Sequence, residues 1–116
     1  MVRIRRGDIW QADLGDPIGS QPGLTRPVVI LQDNQFNDSN IATVVVIAMT
    51  SNLGHAQYPG NVLLPRADSG LERDSIINVT QIVTIDKSQL RQLLGCTSQL
   101  ILDQVEYGIG LVLGLK

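Results

Sequence analysis

The sequence predicts a mainly β fold that ends in one α-helix. Short runs rich in Val, Ile and Thr alternate with Gly, Pro, Asn and Asp, which is the spacing of a small barrel or sandwich. From Thr97 onward the apolar residues instead recur at helical spacing. The chain has 116 residues, of which 43% are hydrophobic, so we expect a single domain over residues 1–116 with its own core.

Five segments are predicted to be strands, with a Gly- and Pro-rich loop over residues 15–25 and turns at residues 33–40 and 68–70. Pro27 is expected at the start of its strand, because proline cannot donate to a hydrogen-bond ladder. The segment 43–50 is continuously apolar between its threonines and is expected to be buried on both faces. The predicted strands are residues 8–14, 27–32, 43–50, 61–64 and 76–85.

The C-terminal helix is predicted to begin after Thr97 or Ser98, since either hydroxyl suits an N-cap. Gly108 and Gly110 each cost about 1 kcal/mol relative to Ala inside a helix. A close approach of the helix to a neighbouring element would explain both glycines, so we expect the helix to lie across the sheet. Its predicted apolar face consists of Ile101, Val105, Ile109 and Val112.

Composition excludes several classes of protein. The formal net charge of −2 argues against a protein that coats nucleic acid non-specifically, which needs many Lys and Arg side chains. The longest apolar runs are too short to span a bilayer, and no secretion signal is visible. The single cysteine, Cys96, is interpreted as a small packing residue in a reducing compartment. We therefore expect a cytoplasmic protein without a membrane partner.

The chain lacks the common motifs of cofactor and metal chemistry. There is no phosphate-binding loop of the Walker kind, no dinucleotide fingerprint and no nucleophile elbow. His55 and Cys96 lie too far apart for a zinc motif, so neither a metal nor a cofactor is expected. His55 is either an exposed loop imidazole or a proton carrier.

Two short segments suit phosphate binding. Arg26 precedes Pro27, which restricts it to extended conformations and gives its guanidinium a stiff base. Thr50 and Ser51 end a buried strand, where their hydroxyls either bind a phosphate oxygen or cap the turn. The alternative for Arg26 is a solvated charge at the strand edge. Each segment alone leaves both interpretations open.

The two segments belong to a longer series of spaced motifs. These are Gly7-Asp-Ile-Trp10, Asp13-Leu14, Gly19-Ser20, Gly23, Arg26-Pro-Val-Val-Ile, Gln32, Phe36-Asn37, Thr43-Val-Val-Val, Thr50-Ser51 and Asn78-Val-Thr-Gln81-Ile-Val-Thr84-Ile-Asp86-Lys87. Together these motifs resemble the MazF/PemK/Kid family of bacterial toxins over residues 5–113. The resemblance implies a small SH3-like barrel with a C-terminal α-helix, assembled as a homodimer. It also implies a metal-independent endoribonuclease for single-stranded RNA that is silenced by a cognate antitoxin.

The resemblance assigns the catalytic roles to Arg26 and Thr50. The 2′-hydroxyl of RNA would attack its own phosphorus, leaving a 2′,3′-cyclic phosphate and a 5′-hydroxyl, while both residues stabilise the added charge. Trp10 is expected either to stack an RNA base or to sit half-buried at a barrel corner. The full set of candidate RNA-binding residues is Trp10, Ser20, Gln21, Ser51, Asn52 and Gln81.

Two departures from the family leave the general base unassigned. Gln21 stands where many relatives have Glu, and Thr80 where some carry a catalytic Asp. His55 is then the only side chain with an ordinary titration near neutral pH. The alternatives are a non-catalytic toxin that inhibits DNA gyrase, like CcdB, and a degenerate RNA-binding relative. Arg3, Arg5 and Arg6 are interpreted as a solvated edge, or as a surface for phosphates or for an acidic antitoxin tail.

Overall fold

The computed structural model describes residues 3–20 and 24–115. They form one antiparallel sheet, curled into a half-barrel, and a C-terminal helix, which confirms the predicted mainly β, SH3-like class. The strand order is β4-β5-β3-β2-β1-β6. The strands are β1 (Asp8–Asp13), β2 (Thr25–Ile30), β3 (Thr43–Thr50), β4 (Val62–Leu64), β5 (Ser75–Asp86) and β6 (Leu90–Cys96). The helices are α1 (Asn34–Asn37), α2 (Arg66–Ser69) and α3 (Gln99–Leu113), with 3₁₀ turns at Leu53–Gln57 and Lys87–Gln89.

The curled sheet has an apolar cluster on each of its two faces, because successive side chains of a strand point to opposite sides. On β3, Val44 and Val46 enter one cluster while Ile47 and Met49 enter the other. This confirms the prediction that β3 is buried on both faces. The cluster that contains Ile47 also receives the buried residues of α3, so the helix closes one open face of the half-barrel.

The position of Pro27 differs from the prediction, because it is the third residue of β2 and not the first. Pro27 lies opposite Gln11 of β1, whereas the pairing of β2 with β3 begins one residue later, at Val28. Its missing N–H therefore removes no hydrogen bond from the central β2–β3 ladder.

Several elements were not anticipated from the sequence, among them α1 and β6. The predicted turn at residues 33–40 contains the one-turn helix α1, whose N-cap Asp33 accepts the N–H of Gln35 at 3.0 Å. β6 pairs with β1 at the sheet edge, and none of its side chains is fully buried. Without a buried face, β6 carries no period-two hydrophobic signal. Cys96, at the end of β6, is exposed, so its interpretation as a packing residue is wrong.

Helix α3 begins as predicted but is buried over less of its length. The Ser98 hydroxyl accepts the N–H of Ile101 at 3.2 Å, which identifies Ser98 as the N-cap. Ile101 and Val105 are buried, whereas Val112 is 39% exposed. Its 15 residues fall short of a membrane span, and no described helix is long and apolar enough to be one.

The N-terminal arginines are engaged in ion pairs. Arg5 donates to Asp38 at 2.7 Å, and Arg3 reaches the same carboxylate at 3.3 Å. Arg6 pairs with Glu106 of α3 at 2.7 Å. Hydrogen bonds from Arg5, and then from Arg3, hold the pKa of Asp38 below its ordinary value. These contacts favour a structural role for the three arginines at this end of the sheet.

Candidate active site

A pocket of about 520 Å³ opens where β2 begins and β3 ends. We call it the Arg26 pocket. Its apolar surface comes from Pro27, Met49, Leu71 and Leu94. Its polar side chains are Gln11, Arg26, Thr50, Ser51, Glu72, Arg73 and Ser75.

Strand register brings Arg26 and Thr50 into this pocket. β2 and β3 are antiparallel, and their last paired residues toward the pocket are Val28 and Ala48. Two further residues along each strand place Arg26 opposite Thr50, and both line the pocket. On its other side, Arg26 is paired with Ala12 of β1, so its backbone belongs to the sheet and not to the preceding loop.

Thr50 both caps a turn and lines the pocket. Its hydroxyl oxygen accepts the N–H of Asn52 at 3.1 Å, so the turn-capping interpretation of this residue is correct. Accepting that bond leaves the hydroxyl proton available for donation. Asn52 in turn accepts the N–H of Gly54 at 3.1 Å and caps the 3₁₀ turn Leu53–Gln57. Ser51 is exposed beside Thr50 at the pocket.

A further wall of the pocket consists of residues that were not predicted to be functional. The chain leaves α2 through Gly70, which has a left-handed φ of 81°, and then passes Glu72 and Arg73 before β5. Asp74 accepts the backbone N–H of Arg66 at 2.9 Å and so closes this loop. An acidic–basic pair shortly before a buried strand was the available signal, but its place in the pocket depends on the pairing of β5 with β3, which sets Ile76 beside Thr50.

The pocket combines two guanidinium groups, from Arg26 and Arg73, with one carboxylate, from Glu72. Guanidinium groups bind phosphate oxygens through paired hydrogen bonds, and hydroxyls such as those of Thr50 and Ser51 add single donors. A carboxylate can accept a proton. The arrangement therefore combines groups suited to phosphoryl transfer, namely donors for phosphate oxygens and a proton acceptor.

His55 does not line the Arg26 pocket. Its Nδ1 lies 3.3 Å from Oδ1 of Asn78, a buried residue of β5. Asn61 donates to the same Oδ1 at 2.9 Å and to the His55 carbonyl at 3.0 Å. The His55 ring also packs against Tyr58, with centroids 5.1 Å apart. These contacts tie the 3₁₀ turn to β5.

The candidate RNA-binding residues are dispersed. Gln81 is half-buried in an irregular part of β5, where residues 78–81 lie opposite the single residue Ala48 of β3. Ser20 is exposed outside the pocket, and Gln21 lies outside the described residues. Trp10 was expected either to stack an RNA base or to sit half-buried at a barrel corner, and its position favours burial over stacking. At 7% exposure within the core, its ring presents no open face to a base.

In residues 3–20 and 24–115, no three His, Cys, Asp or Glu side chains are grouped so that they could hold a metal ion.

The family of this chain follows from comparison with known proteins. Residues 5–113 match the family described as the PemK-like, MazF-like toxin of type II toxin–antitoxin systems. The chain belongs to this family, so the resemblance found in the sequence is confirmed.

Among its relatives, endoribonuclease MazF2 of Mycobacterium bovis is 44% identical over 112 residues, covering 97% of this chain and 98% of the relative. The fold is similar to that of crystalline MazF (form I) from Deinococcus radiodurans, with a TM-score of 0.82 at 20% identity over 98% of this chain and 99% of that one. It is also similar to a mycobacterial endoribonuclease in complex with its cognate antitoxin, with a TM-score of 0.74 at 24% identity over 98% and 96% of the two chains. The names of these relatives agree with the expected enzyme class.

Proposed function

We propose that this chain is an endoribonuclease toxin that cleaves single-stranded RNA at selected sequences in the Arg26 pocket, without a metal ion. The observation that carries the proposal is that Arg26, Thr50 and Ser51 line one pocket at the ends of two adjacent strands. Family membership supports the same function, because relatives over nearly the whole chain are named as endoribonucleases.

The proposed reaction uses the RNA itself as nucleophile. The 2′-oxygen bonds to the adjacent phosphorus as the bond from phosphorus to O5′ breaks, giving a 2′,3′-cyclic phosphate and a 5′-hydroxyl. Arg26 neutralises the charge that develops on the phosphoryl oxygens and protonates the leaving O5′, and Thr50 donates a hydrogen bond to a phosphoryl oxygen. Removal of one such donor commonly costs about 10²–10³-fold in rate.

RNA sequence would be recognised around the pocket. Ser51 is at the pocket and Asn52 follows it, so both are near the scissile phosphate in this arrangement. Ser20, Gln21 and Gln81 remain candidates for contacts to more distant bases. Trp10 is left out of the proposed RNA surface because it is buried.

The proposed protein partners are a cognate antitoxin and a second copy of the chain. One similar structure is described as an endoribonuclease in complex with its antitoxin, which supports the first. Tyr107 and Leu111 in the last turns of α3 are 71% and 52% accessible, and Leu115 just beyond the helix is 71% accessible. These exposed apolar side chains support a homodimer. Exposed Cys96 suits a reducing compartment such as the cytoplasm.

The decisive experiment is incubation of the purified chain with a long single-stranded RNA in EDTA, followed by mapping of cut sites and end chemistry. We expect discrete cuts with cyclic-phosphate and 5′-hydroxyl ends. Replacing the nucleotide before a mapped cut by its 2′-deoxy form should block cleavage there and nowhere else. Intact RNA at high enzyme concentration, or cleavage of the 2′-deoxy site, would refute the proposal.

A further inference from the structure

We infer that Glu72 is the proton acceptor for the attacking 2′-hydroxyl, an inference that rests on the proposed RNA cleavage. Glu72 supplies the single carboxylate among the described side chains that line the Arg26 pocket. Glu72 lies on the pocket wall formed by the chain between α2 and β5, whereas Arg26 comes from β2 and Thr50 from β3. Glu72 thus supplies a carboxylate to the Arg26 pocket, although the sequence lacks one at positions 21 and 80.

The carboxylate of Glu72 is available, unlike most acidic side chains of the chain. Asp13 is bonded to Arg91, Asp38 to Arg5, and Glu106 to Arg6. The neighbouring Asp74 accepts the N–H of Arg66. For Glu72, by contrast, no hydrogen bond or ion pair is found within the described part of the chain, and the residue is exposed. Its oxygens can therefore meet a substrate without first breaking an internal contact.

The other groups that could accept the proton are less suited. Arg26 is a poor base, because a guanidinium keeps its proton in proteins. Thr50 already accepts an N–H from Asn52. His55 is bonded to Asn78 and does not line the pocket.

The proton balance of the step is complete with these residues. The 2′-hydroxyl gives its proton to a Glu72 carboxylate oxygen as the 2′-oxygen bonds to phosphorus. The bond from phosphorus to O5′ breaks, and Arg26 gives a proton to O5′. Solvent then takes the proton from Glu72 and returns one to Arg26, which restores both side chains. Arg73 lies on the same wall and offsets the repulsion between the Glu72 carboxylate and the phosphate.

The test compares Glu72→Gln, which removes the base, with Glu106→Gln, the same chemical change at an ion pair outside the pocket. Cleavage of one mapped RNA site is measured across pH with the purified full chain. We expect kcat of Glu72→Gln to fall about 10²–10⁴-fold. KM should stay equal or decrease, because a negative charge has been removed from an RNA site. Glu106→Gln should keep its kcat within about threefold, since exposed pairs contribute little.

The pH profile distinguishes a base from a positioning residue. A carboxylate acts as a base only when it is deprotonated, so the wild-type rate should fall in acid, and this acid limb of the profile should vanish in Glu72→Gln. Glu72→Asp should restore part of kcat. Wild-type kcat and an unchanged acid limb in Glu72→Gln would overturn the inference and leave RNA cleavage intact. Failure of the wild-type protein to cleave would overturn both.

Discussion

A methyl group on Gly108 would overlap the carbonyl oxygen of Gly60, so α3 crosses the chain before β4 at a distance that only glycine permits. The same methyl group would lie 3.0 Å from a methyl of Val79 on β5. Gly60 itself has a left-handed φ of 84°. This contact fixes the helix on the sheet. Gly110, two residues later, has no atom within 4 Å of such a methyl group, so the packing predicted for both glycines holds only for Gly108.

The two glycines make a matched pair for a stability measurement. Each Gly→Ala change gains about 1 kcal/mol of intrinsic helix propensity. For Gly110→Ala we expect that gain to appear, whereas Gly108→Ala should lose about 1–3 kcal/mol because a packed backbone must move. Urea unfolding of both variants at one protein concentration measures the difference. Equal stabilities would mean that the helix does not approach Gly60 this closely in solution.

Arg26→Ala should abolish RNA cleavage without unfolding the protein. In the proposed mechanism the guanidinium neutralises the phosphorane, so its loss is expected to reduce kcat by at least about 10²–10³-fold. Arg66→Ala, an exposed arginine outside the pocket, is the control and should cleave normally. Circular dichroism and thermal unfolding check the fold. Cleavage by folded Arg26→Ala at the wild-type rate would remove Arg26 from the mechanism.

Thr50 offers a test of its two roles. Thr50→Val keeps the shape of the side chain but loses the donor to phosphate and the acceptor for the Asn52 N–H. We expect a decrease in kcat of about 10²-fold or more, as for other transition-state donors. Thr50→Ser retains the hydroxyl and should keep most of the activity. Full activity in Thr50→Val together with a large loss in Thr50→Ser would show that the methyl group, and not the hydroxyl, is required.

Asp38 should make the fold sensitive to acid. Its pKa is lowered from the ordinary 3.8 by hydrogen bonds from Arg5 and Arg3. The carboxylate is thus favoured in the folded state, and its stabilising contribution is complete above about pH 3.8 and lost as the pH falls through the lowered value. Asp38→Asn should be less stable than wild type at neutral pH, with the difference vanishing in strong acid.

Urea unfolding at several pH values measures this convergence, and Asp16→Asn, a change at another exposed aspartate, serves as the control. High salt should reduce the Asp38 effect because the pair is exposed. An Asp38→Asn variant that matched wild type at every pH would show that these ion pairs do not contribute to stability in solution.

Local sequence information determined much of the fold. The continuous apolar run of β3 and the helical spacing after Ser98 are both signals within one element, and both elements were predicted close to their observed bounds. β6 was missed because none of its side chains is fully buried, so no hydrophobic period marks it. The role of Trp10 could not be assigned from the sequence. Apolar and polar residues alternate imperfectly in its strand, so the pattern does not decide whether the indole faces the core or the surface.

For the candidate site, too, some residues could be found from local sequence and others only from the tertiary structure. Arg26 before Pro27 and the hydroxyls of Thr50 and Ser51 are marked by short motifs, and their roles follow from family resemblance. That they line one pocket depends on the register between β2 and β3, which is set by packing of the whole sheet. Glu72 is 46 residues from Arg26 in the chain, so no local pattern links them. The antiparallel pairing of β5 with β3 sets Ile76 beside Thr50, and this long-range pairing brings the chain between α2 and β5, with its carboxylate, to the Arg26 pocket.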